Sequence, residues 1–169
     1  MQRLTKTTGL ILFAALLAGS FLWAAPAQAN TAEADLHPVD APSGRISSRA
    51  VGYVRFTEGS EANQVRVLIH IQNLMIVQEE QPLTTVGGAA VYEHGIRIRA
   101  TGDCSDTKAT DSQAGVLPQV GIRQDGNALV SMVASGINLG ELPGKSVVLY
   151  RGGTDAKRQI IACGEIKLD

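Results

Sequence analysis

The sequence contains few aromatic residues: one Trp, three Tyr and three Phe among 169 residues. Three of them, Phe13, Phe21 and Trp23, lie within the first 29 residues. A chain with so few aromatic side chains has little with which to stack on nucleic-acid bases or sugar rings. The composition therefore argues against an aromatic binding platform.

The chain also lacks an excess of positive charge, with 15 basic and 16 acidic residues. The first 29 residues hold two of the bases, Arg3 and Lys6, and no acid, so 13 bases and 16 acids remain after them, a net charge of −3. Proteins that bind nucleic acid need a surplus of Lys and Arg to neutralise phosphates. We therefore expect no nucleic-acid partner.

Residues 1–29 are predicted to be a secretory signal peptide. The two basic residues precede an apolar stretch over residues 9–24, and Ala27-Gln28-Ala29 supplies the small residues that signal peptidase requires. The alternative is an uncleaved membrane anchor, but the apolar run is short for a bilayer span and Pro26 follows it. We expect a bacterial periplasmic or secreted protein with no membrane attachment after cleavage.

Cysteine is also scarce, since Cys104 and Cys163 are the only two. An even count in an oxidising compartment favours a disulfide, and two buried free thiols are the alternative. In the chain-entropy description, a bridge closing a loop of about 60 residues contributes up to about 4 kcal/mol.

The exported part divides into two regions. Residues 30–50 contain Pro38 and Pro42 and no apolar period, which predicts a flexible N-terminal arm. Over residues 51–169, short runs of alternating apolar residues are separated by Gly-rich turns, and no long helical period occurs. This pattern predicts an all-β sandwich or barrel. The predicted strands cover residues 51–56, 65–72, 91–100, 117–123, 128–134, 146–150 and 159–166.

Three sequence blocks follow one another in this region. They are HGIRIR and GDCS within residues 94–105, GVLP and QDGNA within residues 115–128, and LPGKSVVLY, GGTD and ACGEI within residues 142–166. Together they resemble the H-G-F-H-x-H…G-D-C-S, G-D-L-P…D-G-x-A and L-x-G-R-S-V-V-x-H-x-G-G-D-D…A-C-G-V-I motifs of the copper/zinc superoxide dismutase family. The resemblance implies an eight-stranded antiparallel Greek-key β-barrel, with one disulfide tying a long loop to the last strand.

The resemblance does not extend to the metal ligands. The family holds copper with four His and zinc with three His and one Asp, and one His bridges both metals. Residues 105–114, where the bridging His belongs, contain no His. The family ligand positions that can be matched are occupied by Arg97, Arg99, Gln113, Val116 and Tyr150.

These replacements argue against metal chemistry. Guanidinium is always protonated and only donates hydrogen bonds, so Arg97 and Arg99 cannot ligate a cation. We expect no copper or zinc, no catalytic residue and no dismutase activity, which favours a pseudoenzyme that acts as a binding or interaction module. The alternative is a superoxide dismutase or other metal-dependent antioxidant enzyme with a site rebuilt from His70, His94 and nearby carboxylates, although no ligand spacing supports one.

Arg97, Arg99, Tyr150 and Arg151 form a candidate site for a small anion or a protein partner. Strand alternation puts Arg97 and Arg99 on one face, and the family fold would bring Tyr150 to the same wall. Two guanidiniums and a phenol suit a carboxylate. The alternative is a solvated strand face with charges held by neighbouring acids. The candidate protein partners are a second copy of this chain and a true dismutase.

Overall fold

The computed structural model describes residues 30–40, 43, 45–61, 63–75, 84–86, 88–105, 113–152 and 159–169. The signal peptide predicted for residues 1–29 lies outside these residues.

Eleven strands make up the secondary structure of the described residues, with one short 3-10 turn at Leu139–Glu141. No helix among them is long and apolar enough to cross a membrane. The strands are β1 (Thr31–Asp40), β2 (Arg45–Ile46), β3 (Gly52–Glu58), β4 (Gln64–Ile71), β5 (Thr84–Val86), β6 (Ala89–Arg99), β7 (Gln113–Val116), β8 (Val120–Arg123), β9 (Ala128–Ser135), β10 (Ser146–Tyr150) and β11 (Ile160–Leu168).

Eight of these strands form a nearly closed antiparallel barrel in the order β9-β4-β3-β1-β11-β10-β6-β8. The short strands are attached to it: β2 pairs with β1, and β5 and β7 pair with β6. Neighbours such as β4 and β9 are far apart in the chain, which requires the crossover connections of a Greek key. The predicted all-β, eight-stranded antiparallel barrel is therefore confirmed.

The core follows from the two-residue period of the strands. Along β4, Val65, Val67, Ile69 and Ile71 point into the barrel and are at most 1% exposed, whereas Arg66 points outward and is exposed. Alternate side chains of a strand face opposite sides of the sheet, so a period-two apolar pattern builds one buried face. Each fully buried aliphatic side chain contributes about 1.5–3 kcal/mol.

The flexible arm predicted for residues 30–50 is wrong over its first part. Strand β1 lies in the middle of the sheet, between β11 on one edge and β3 on the other, and its inward residues Ala32, Ala34 and Leu36 are fully buried. The sequence hides this strand because two of the inward side chains are small and Pro38 lies near its end. The barrel therefore starts at Thr31 rather than at Val51, while residues 45–50 are exposed.

Two glycines let backbone segments approach closely. A Cβ on Gly164 of β11 would collide with the carbonyl oxygen of Asp35 in β1. Gly126, in the turn between β8 and β9, has φ +77° and would collide in the same way with the carbonyl oxygen of Leu74. Glycine is the residue that tolerates both the positive φ and the close contact.

Candidate functional site

The candidate site lies on the outer face of β6. Ile96 and Ile98 belong to the core inside the barrel, so Arg97 and Arg99, at the intervening positions, belong to the opposite face. Two residues along a strand are about 6.6 Å apart, which brings the two arginines side by side on one wall.

Strand β10 brings Tyr150 to the same wall. Val148 pairs with Arg97, and Tyr150 pairs with Gly95. Residues directly opposite each other in an antiparallel ladder point to the same face. Tyr150 therefore lies on the outer face next to the arginine pair, one row away from Arg97.

A second, smaller apolar cluster forms part of this wall. It consists of Val39, Val148, Tyr150, Ile160 and Cys163, with Cys104 packed against it. The predicted disulfide between Cys104 and Cys163 is confirmed, with the two Cα atoms 5.7 Å apart. Cys163 pairs with Val148, which in turn pairs with Arg97, so the bridge anchors the segment after β6 beside the arginines.

The arginines differ in how accessible they are. Arg99 is 2% exposed and Tyr150 is 5% exposed, whereas Arg97 is half-buried. Each of the three residues takes part in interactions within the protein. Arg97 is therefore the more exposed of the two arginines, although one terminal nitrogen of each guanidinium is buried.

Arg151 directly follows Tyr150 in the chain and borders a cavity. It lines a cavity of about 600 Å³ together with Arg45, Val39, Val51 and Leu74. The other candidate side chains do not line this cavity. Val39 lines this cavity and also packs in the cluster that contains Tyr150, so the cavity borders the wall.

The three histidines lie on different strands and do not converge. His94 points into the barrel and is 1% exposed, and His70 lies on the outer face of β4, where its ring meets the ring of Tyr53 edge-on at 5.2 Å. His37, expected in a flexible arm, lies in β1, with Nδ1 3.0 Å from the carbonyl oxygen of Ser47. The described residues contain no group of three or more His, Cys, Asp or Glu that is able to hold a metal ion.

The side chains on the wall do not suit the copper and zinc that the sequence resemblance implies. Both metals take imidazole, thiolate or carboxylate donors. Arg97 and Arg99 offer only N–H donors with a fixed positive charge, which repels a cation. In the ladder between β6 and β7, Val116 lies opposite Arg97 and Gln113 lies opposite Arg99.

Strand β1 adds a groove that the sequence did not reveal. A cavity of about 480 Å³ beside the disulfide is lined by Glu33, Asp35 and His37 of β1 and by Glu165 of β11. The Nε of Arg55 donates a hydrogen bond of 2.6 Å to Glu33 at the edge of this groove, which raises the pKa of Arg55. The groove was not predicted, because the sequence analysis assigned the β1 residues that line it to a flexible arm.

Comparison with known proteins gives a likeness of fold. No family model matches the chain, and no curated protein sequence matches it. Among solved structures, the chain is similar to the Cu/Zn superoxide dismutase from Brucella abortus, with a TM-score of 0.56 and 16% sequence identity. The match covers 81% of this chain and 99% of the other. The barrel is thus of the superoxide dismutase type in architecture.

Proposed function

We propose that the chain is an exported, non-catalytic binding protein built on a superoxide dismutase-like barrel. Its ligand is an anionic oxygen group, a carboxylate above all, carried by a small molecule or by the surface of a partner protein. The group binds on the outer wall formed by β6 and β10, where Arg97, Arg99 and Tyr150 lie together.

The observation that carries this proposal is the placement of two arginines on one face of β6. A planar guanidinium presents paired N–H donors that match the two oxygens of a carboxylate. The partly buried setting of Arg97 and the buried setting of Arg99 reduce the screening of their charge by water. The wall therefore favours an anion and disfavours a cation.

The rigidity of the wall supports a binding role. Arg97 and Arg99 lie on a strand paired on both edges, with β10 on one side and β7 on the other. The disulfide and the apolar cluster around Val148 and Tyr150 support it from β11. A group held in place before binding loses less side-chain entropy when the ligand arrives.

Export rests on two observations that agree. The first 29 residues have the pattern of a secretory signal peptide, and Cys104 and Cys163 form a disulfide. Disulfides persist in oxidising compartments such as the bacterial periplasm.

The non-catalytic part of the proposal predicts a protein without dismutase activity. Protein purified from the periplasm should contain well below one copper or zinc ion per chain by elemental analysis, and it should not accelerate superoxide decay even after incubation with both metals. The pair Arg97→His and Arg99→His should not restore activity, because the other matched family ligand positions, Gln113, Val116 and Tyr150, supply neither imidazole nor carboxylate. Stoichiometric copper together with activity would support the alternative of a rebuilt metal site.

The binding part predicts an anion effect that depends on Arg97. Citrate, acetate and phosphate, each compared with chloride at equal ionic strength, should raise the melting temperature saturably, since a ligand that binds only the folded state stabilises it. Arg97→Gln should weaken this binding about tenfold or more, because a hydrogen bond to a charged group contributes about 1.5–3 kcal/mol.

Arg66→Gln is the matched control for this measurement. Arg66 is an exposed arginine on the outer face of β4, so its loss removes the same charge from a different wall. Titration calorimetry should show binding that is unchanged in Arg66→Gln and weakened in Arg97→Gln. Equal anion effects in the wild type and both variants would refute the site.

A further inference from the structure

Strand β9 is an edge strand of the barrel. It pairs with β4 along all eight of its residues, Gln64 to Ile71 lying opposite Ser135 to Ala128. On the other side of β9 lies β8, which a short turn connects to it. In the described part of the chain, β8 and β9 share no ladder of paired residues. An edge strand presents backbone N–H and C=O groups that a further strand is able to pair with.

The side chains of β9 are unusually exposed for an apolar strand. Leu129 and Val133 point outward and are 71% and 59% exposed. Val130 and Met132 point toward the core but are only partly buried. The exposed apolar surface of β9 therefore lies on its outer face, while Val130 and Met132 pack against the core and are partly accessible beside the free edge.

The sequence of β9 also lacks the features that usually protect an edge. Its eight residues, ALVSMVAS, include no charged residue, no proline and no glycine. Natural edge strands are commonly protected by lysine, by proline or by a bulge. Long, uncharged apolar edges are therefore suited to pairing with another strand.

We propose that β9 pairs antiparallel with β9 of a second copy of this chain, forming a two-fold dimer with a continuous sheet across the interface. A two-fold axis at Ser131 places Leu129 opposite Val133 of the partner subunit on the outer face. The same register places Val130 opposite Met132 of the partner subunit on the inner face. Each apolar residue meets an apolar residue, and the strand is complementary to itself.

Self-complementarity is the reason for choosing a second copy as the partner. In an isologous contact the same patch serves both subunits, so the interface closes with two molecules and leaves neither β9 edge available for further growth. The strand carries no charge that would select an acidic or basic partner. The dimer is independent of the arginine wall, because β8 and β6 separate β9 from β10 in the barrel order.

The position of Ser131 at the axis allows a charge-exchange test. Ser131 is exposed on the outer face. In the dimer a lysine there lies opposite the same lysine of the other subunit, and an aspartate lies opposite the same aspartate. Ser131→Lys and Ser131→Asp should each weaken the dimer at least about tenfold, because like charges placed across an interface repel. An equimolar mixture of the two variants should form dimers again.

The measurement is sedimentation velocity of the exported chain, residues 30–169 with the disulfide intact, over a wide concentration range. Leu168→Lys is the matched control, since Leu168 is 60% exposed on β11 and its change adds the same charge away from β9. It should leave the dimer unchanged, whereas Val133→Lys should weaken it. Circular dichroism establishes that each variant keeps the β-fold.

Three outcomes would overturn the dimer. One is a wild-type chain that stays monomeric at several hundred micromolar. Another is a dimer that persists in Ser131→Lys, Ser131→Asp and Val133→Lys, which would place the interface elsewhere. The third is a mixture of the two Ser131 variants that fails to associate although each variant is folded, which would exclude the two-fold register.

Discussion

A chain that begins at residue 41, without β1, should fail to fold. Strand β1 pairs with β3 and β11 at once, so its loss opens the barrel between two strands and leaves both with unpaired edges. It also removes Ala32, Ala34 and Leu36 from the core. We expect the deletion variant to lose the β-sheet signal in circular dichroism and the cooperative urea transition of the chain that begins at Asn30.

A point substitution in β1 measures how much one of its buried side chains contributes to the stability of the barrel. Leu36→Ala should lower the free energy of unfolding by about 2–5 kcal/mol, because it removes a fully buried side chain and leaves a cavity. Asp35 directly precedes Leu36 but is exposed, so Asp35→Ala should change the free energy of unfolding by no more than about 0.5 kcal/mol. A deletion variant that unfolds cooperatively, or equal effects of the two substitutions, would contradict the central position of β1.

Loss of the disulfide should lower stability by about 3–4 kcal/mol, because the bridge restricts the unfolded chain across a long loop. Cys104 and Cys163 are 59 residues apart in the sequence, and Cys163 is 1% exposed. Urea unfolding of the native chain should show a higher midpoint than unfolding in the presence of reductant. Alkylation before reduction should label neither cysteine.

Two variants separate the bridge from the packing of its sulfur atoms. Cys104→Ala with Cys163→Ala removes the bridge, and its unfolding free energy should not depend on reductant. Val148→Ala, which truncates a neighbour in the same apolar cluster, should lower stability while keeping the reductant effect. If the double variant is as stable as the native chain, the bridge does not contribute to the stability of the barrel.

Local sequence pattern was sufficient for several strands and for the faces they present. The prediction over residues 146–150 matches β10, and that over residues 128–134 matches β9 to within one residue. Along β6 the alternation assigned Ile96 and Ile98 to the core, as the structure has them. These features depend on the two-residue period of a strand, which is a property of neighbouring residues and can be read from the sequence.

The prediction of contacts between distant parts of the chain came from the resemblance to the copper/zinc superoxide dismutase motifs. The three blocks implied a particular barrel and a bridge between Cys104 and Cys163, and both are confirmed. Alternation by itself left a sandwich and a barrel as equal possibilities, since it does not specify which strands pair.

The sequence by itself determined the alternating strands, the two cysteines and the position of Arg97 and Arg99 on one face of a strand, because these depend on residue type and local spacing. Only the tertiary structure decided that Thr31–Asp40 is a central strand, that Arg151 borders a cavity, and that β9 is an apolar edge. Each of these depends on pairing between segments far apart in the chain. For β1, contacts with β3 and β11 bury side chains as small as alanine, which no local pattern marks as core.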